Sequence, residues 1–95
     1  MTAFIVGLVK ITDPVAYQRY FEAFPKVFAA SGGRVLAADE AAAVIEGSFD
    51  ADKVVLMQFP DAAAARAFLD SADYQRISQD RRAGAQTTAF IVHGF

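Results

Sequence analysis

The chain has 95 residues, 55% of them hydrophobic, with no cysteine, a single histidine and a formal net charge of −2. That length is one domain. Zero cysteines excludes disulfides, thiolate metal sites and cysteine nucleophiles, and acids interspersed with bases leave no basic stripe for nucleic acid. No apolar run approaches the ~18 residues of a membrane-spanning helix, and Met1-Thr2-Ala3-Phe4 lacks a charged leader. A cytoplasmic protein with neither a nucleic-acid nor a membrane partner is therefore expected.

Ala3 to Ile11 reads as a strand, apolar almost throughout, with Ile5, Val6, Val9 and Ile11 β-branched. Asp13-Pro14 opens a helix, because aspartate accepts hydrogen bonds from free N–H groups and proline fits the first turn. Tyr17, Tyr20, Phe21, Phe24 and Phe28 recur at helical spacing and form one aromatic stripe. Pro25 removes a backbone hydrogen bond and predicts a kink near Phe21–Pro25. Ser31-Gly32-Gly33 ends the helix, glycine tolerating the left-handed conformation just beyond it.

Arg34 to Ala38 and Ala43 to Phe49 are expected to form one long second strand, interrupted by a bulge or tight bend at Asp39-Glu40-Ala41-Ala42. Asp50-Ala51-Asp52 is the turn into a third strand, Lys53 to Phe59. Pro60-Asp61 opens a second helix with Ala64, Ala65, Phe68 and Leu69 on its apolar face. Ser71 caps a further short helix carrying Tyr74, Ile77 and Arg81. Gly84 closes it, and Thr87 to Phe95 is the last strand.

This β-α-β-β-α-β order predicts an α+β fold with both helical segments on one face of an antiparallel sheet. The other face should be polar if it meets water. Instead Phe4, Val6 and Leu8 alternate with Ile5, Val9 and Ile11, while Val55, Met57 and Phe59 alternate with Val54 and Leu56. Phe90 and Val92 likewise alternate with Ile91 and Phe95. Apolar residues on both faces predict self-association through the open sheet face, as a homodimer.

The punctuation of the chain forms a series: Ile11-Thr12-Asp13-Pro14 with Tyr17 and Tyr20, Pro25, Gly32-Gly33-Arg34 with Leu36-Ala37, and Glu46-Gly47. Phe59-Pro60 with Ala64, Ser71, Asp73-Tyr74-Gln75, Arg81 and Gly94 complete it. The series resembles the domain-of-unknown-function family numbered 1330, in the dimeric α+β barrel superfamily, over essentially the whole chain. The resemblance implies a ferredoxin-like protomer and a homodimer whose sheets enclose a barrel. The same superfamily includes cofactor-independent monooxygenases, lactone isomerases and haem-degrading enzymes, chemistries that a shared fold does not transfer. Family members usually carry glutamate where this chain has His93, and proline-glutamate where it has Ala72-Asp73.

Among residues that could carry chemistry, His93 is the only histidine, and is either a pocket base or haem ligand, or a structural or interface residue. Glu46 and Gln58 interrupt apolar strands and are expected to face each other, Arg34 or water. Arg34 is a fork for a carboxylate or the partner of Glu46 in an ion pair. Tyr17, Tyr20 and Tyr74 bring hydroxyls to an aromatic core, where they either pack or orient a carbonyl or phenolic ligand. Arg81 pairs with Asp13 or Asp80, or binds an anion. No nucleotide or metal motif is present, so no cofactor is expected.

The composite expectation is a homodimer binding a small organic molecule between the sheet and the aromatic helix, with cofactor-independent oxygenase or isomerase chemistry as the enzymatic version. His93, Glu46 and Tyr17 are its candidate catalytic residues, and Arg34, Arg81, Tyr20, Tyr74 and Gln58 its candidate binding residues. The alternative is a non-catalytic structural or interaction dimer, or a ligand-sensing domain.

Overall fold

A computed structural model describes residues 1–95. The elements run β1 (Ala3–Ile11), α1 (Pro14–Phe28), β2 (Arg34–Asp39), β3 (Lys53–Phe59), α2 (Ala62–Asp70), α3 (Ala72–Gly84) and β4 (Ala85–His93). The four strands form one sheet in the order β2-β3-β1-β4, every neighbouring pair antiparallel. No helix is long and apolar enough to cross a membrane.

Local chemistry sets the helix starts. Asp13 accepts from the N–H groups of Val15 and Ala16, at 3.1 and 3.4 Å. Asp61 accepts from Ala64 at 2.8 Å, and the Ser71 hydroxyl from Tyr74 at 3.2 Å. Each cap satisfies N–H groups that the helix itself leaves free. The turn after α1 needs a positive φ at Gly32, +79°, a conformation that side chains with a Cβ rarely adopt.

Register fixes the two faces of the sheet. Ile5 opposes Met57 and Ile91, and Val9 opposes Lys53 and Thr87, all beneath the helices. Val6 opposes Leu56 and Phe90 on the other side. The core joins Ile5, Val9, Met57 and Phe59 to Tyr17, Tyr20, Phe28, Phe68, Tyr74 and Ile77 of the helices. The opposite face is apolar too and has no layer over it, leaving Phe90 45% and Val92 39% exposed.

Several expectations need correction. Ala43 to Phe49 is not a strand: β2 stops at Asp39, and residues 40–52 carry no regular structure. The reason is register, since β3 begins only at Lys53 and its edge is used up by residues 34–39. As a continuation of β2, the segment finds no further length of β3 to pair with. The bulge lies at Leu36, between Val35 and Ala37, rather than at residues 39–42. Helix α1 runs from Pro14 to Phe28 with Pro25 inside it, and the Pro25 carbonyl accepts from Ala29 at 3.0 Å. The third helix is not short: it has 13 residues against 9 in α2. β4 starts two residues before Thr87 and ends at His93.

Gly84 closes α3 for a different reason from a left-handed turn. Its carbonyl accepts from the N–H groups of Thr12 and Asp13, at 2.8 and 3.0 Å. A Cβ there would fall on the backbone of Tyr17. The glycine thus lets the end of α3 touch the start of α1. That contact seats the start of α1 on the end of α3, and a space lies between the aromatic stripe and the strands.

Candidate functional site

The space is a cavity of about 240 Å³. Its floor is the helix-facing side of the sheet: Ile5 and Val9 of β1, Val55 and Met57 of β3, and Thr87 and Ala89 of β4. Its roof is the stripe of α1, with Tyr74 and Arg81 of α3 closing one side. Helical spacing explains the roof, since Tyr74, Ile77, Ser78 and Arg81 fall on one face of α3. The strand period explains the floor.

Polar groups are few, and unequally satisfied. The hydroxyls of Tyr20 and Tyr74 hydrogen-bond to each other at 3.1 Å in a buried position. Their rings meet edge to face with centroids 6.3 Å apart. Burial raises the Tyr20 phenol far above its ordinary value, and the neighbouring Tyr74 adds to the effect. Burial also raises Tyr17, assisted by the Glu40 charge and opposed by Arg81. Both phenols therefore remain protonated donors at neutral pH.

Two other polar atoms are buried without any partner: Arg81 Nε and the Thr87 hydroxyl oxygen. Both residues line the cavity. A buried group in this condition costs about 1–3 kcal/mol, and native folds retain few of them. Lys53, only 4% exposed, is the third polar feature. Its Nζ lies 4.6 Å from the ring centre of Phe21 and 5.2 Å from that of Tyr17. Burial lowers its pKa, against a smaller pull from Glu40.

The structure separates the sequence candidates into groups. Tyr17, Tyr20, Tyr74 and Arg81 converge on the cavity. Arg34 and Gln58 are cross-strand partners at one end of β2 and β3, on the uncovered face of the sheet with Leu56 and Phe4. Glu46 is exposed in the loop after β2. His93 is exposed at the end of β4, opposite Ala3 and beyond the cavity-lining Thr87 and Ala89.

The expected pairings also change. Within the chain Arg34 and Glu46 form no ion pair. The ion pairs are Lys10–Asp50, Arg19–Asp80 and Arg76–Asp73. Asp80 is thus taken by Arg19, and Asp13 caps α1, which leaves Arg81 unpaired. Lys53 and Thr87 are not among the candidates that the sequence marks out. The signal for Lys53 was its place in the alternation Lys53, Val55, Met57, Phe59, which puts it on the core face. No three His, Cys, Asp or Glu side chains gather as metal ligands.

A four-stranded antiparallel sheet of this order, with its helices on one face, is a ferredoxin-like α+β fold, and solved structures share it. RPA0582, a protein of unknown function from Rhodopseudomonas palustris, superposes with a TM-score of 0.78 at 20% identity, over 99% of this chain and 82% of that one. SnoaB, a cofactor-independent oxygenase from Streptomyces nogalater, gives 0.72 at 16%, over 99% and 93%. A dimeric ferredoxin-like protein of unknown function from Jannaschia sp. CCS1 gives 0.74 at 14%, over 99% and 100%. At these identities the likeness concerns the fold alone. No curated protein matches the sequence. The particular family is settled by the sequence itself: residues 2–95 match Domain of unknown function (DUF1330), and the chain belongs to that family.

Proposed function

We propose that the cavity binds a small, largely apolar organic molecule through one anionic or carbonyl oxygen, received by Arg81 and Thr87. The observation that carries this reading is the pair of buried, partnerless polar atoms in a largely apolar chamber. An incoming oxygen accepts from both and relieves both costs at once. Tyr17 supplies a further neutral donor from the roof.

The corresponding chemistry is cofactor-independent oxygenation or isomerisation. A guanidinium beside a carbonyl or phenol oxygen stabilises the enolate or phenolate left when the proton passes to a water molecule. That anion either returns the proton at another carbon, which is isomerisation, or gives electrons to dioxygen, which is oxygenation. The fold shared with a cofactor-independent oxygenase supports the second branch by analogy. The test is calorimetric titration with a panel of hydroxyaryl ketones and aromatic carboxylates, on the protein and on Arg81→Ala. Binding weakened by about tenfold or more in the variant, as for loss of a charge-assisted bond, supports the site. No binding by any member of the panel favours the alternative, a non-catalytic structural or sensing dimer.

The working unit in this proposal is a homodimer. Exposed Phe90 and Val92 on an uncovered apolar face support it, as does the dimeric description of ferredoxin-like proteins with this fold from Jannaschia sp. CCS1 and Bacteroides fragilis.

A further inference from the structure

Lys53 is the cavity residue that oxyanion binding leaves unused. It is one of three lysines in the chain, and its situation differs from that of Lys10, the other lysine of the sheet. Lys10 donates to Asp50 at 2.8 Å, and that bond raises its pKa. Lys53 is 4% exposed, takes part in none of the ion pairs, and ends between two aromatic rings at the cavity wall. Desolvation outweighs the pull of the Glu40 carboxylate, so its pKa falls below the ordinary 10.5. The other titratable or charged groups around it are Tyr17 and Tyr20 of α1, Tyr74 and Arg81 of α3, and Glu40 beyond β2.

Register adds a distance. Lys53 and Thr87 both oppose Val9, one from each side. Their Cα atoms are thus two strand spacings apart, roughly 10 Å, with Val9 as the floor between them. A single ring carrying an anionic group at one end and a carbonyl at the other spans that row.

We propose that Lys53 is an amine nucleophile that condenses with the carbonyl of an aromatic aldehyde or ketone acid held by Arg81 and Thr87. The inference rests on the cavity's accepting such a ligand. Neutral Nζ adds to the carbonyl carbon, forming a C–N bond as the carbonyl π electrons move to oxygen. Proton transfer from nitrogen to that oxygen gives a carbinolamine. Protonation of the hydroxyl and loss of water then leave a protonated imine, with the carbonyl oxygen departing in the water. No oxidant or reductant is consumed. The apolar wall disfavours bulk water, which would return the imine to its components.

The test uses the full chain and 4-formylbenzoate, with cyanoborohydride to deliver hydride to the imine carbon and fix it as a secondary amine. Peptide mapping then compares the three lysines. Among the lysines the expected result is one adduct, on Lys53, in several-fold excess over Lys10 or Lys26 and suppressed by excess benzoate. Lys53→Arg keeps the charge without the nucleophile, and should still bind benzoate by calorimetry while losing the adduct. Benzoate binding with label spread over Lys10 and Lys26 overturns the nucleophile alone. Neither binding nor label at Lys53 overturns the oxyanion site together with it.

Discussion

Gly84 and Tyr17 meet backbone to backbone, with no room for a methyl group between them. The contact is what places the aromatic stripe of α1 above the sheet. Gly84→Ala must either push α3 from α1 or break the bonds from Thr12 and Asp13 to the Gly84 carbonyl. Overpacking of this kind costs about 1–3 kcal/mol, and the lost hydrogen bonds place the expectation at the upper end. Thermal unfolding should show Tm lowered by roughly 10–20 °C in a domain of this size. An unchanged Tm would mean that the two helices are not held as described.

The Tyr20–Tyr74 bond is the next element of the cavity wall. Replacing either tyrosine by phenylalanine strands the other hydroxyl in a buried site, at a cost of about 1 kcal/mol or more. Removing both leaves apolar edges in contact and costs less than the two single changes summed. A double-mutant cycle in urea should therefore give a coupling of about 1 kcal/mol. Strict additivity would show that the hydroxyls do not interact.

Alkaline stability has two opposed contributions. For Tyr17 and Tyr20 the folded pKa lies above the ordinary 10.0. The unfolded chain releases these protons first, so stability falls as pH rises past 10. Lys53 has a folded pKa below 10.5. Its native form releases a proton that the unfolded chain still holds, so its contribution rises over the interval ending near 10.5. Urea denaturation across this range should show a shallower decline in Tyr20→Phe than in wild type, and a steeper one in Lys53→Met. Identical slopes in all three would contradict the burial of both groups.

Burial of an amine among rings also sets an expectation at neutral pH. Lys53→Met keeps the packing volume and removes a desolvated charge, which should raise stability by up to about 1 kcal/mol. Chemical denaturation measures it directly. A loss of more than that amount would show that the ring faces hold the ammonium more tightly than desolvation resists it.

The uncovered face of the sheet gives the assembly prediction. Phe90 is 45% exposed there, opposite Val6. Sedimentation should find twice the chain mass for wild type and a monomer for Phe90→Glu, since a charge at the centre of an apolar interface stays unpaired. A monomeric wild-type protein would remove the homodimer.

Much of this architecture was legible in the sequence because it depends on neighbours a few residues away. Asp13, Asp61 and Ser71 cap helices through atoms two or three residues on. The alternation Phe4, Val6, Leu8 against Ile5 and Val9 assigns both faces of β1 without reference to any other strand. The segment Ala43–Phe49 has strand composition but no strand, because pairing depends on an edge elsewhere in the chain. The site divides along the same line. Helical spacing brought out Tyr17, Tyr20, Tyr74 and Arg81. His93 and Glu46 stood out for their rarity or contrast, and neither property fixes a position in space. Thr87 drew no notice, since a hydroxyl in a strand is ordinary until its surroundings leave it unpaired.

The loop at residues 40–52 carries a consequence of its own. It leaves β2 through an Asp39 turn, in which the side chain accepts from Ala41 at 2.8 Å. It returns through Asp50, which binds Lys10, and Asp52, which accepts from Ile11 while donating its own N–H to Val9. Between these clamps Val44 and Ile45 are 50% and 99% exposed. Doubling the free length of such a segment costs only about 0.6 kcal/mol. Glu40, at its start, lies against Tyr17 and Phe21 in a shallow recess beside the cavity. New residues inserted here would lengthen the wall of that recess and leave the sheet untouched.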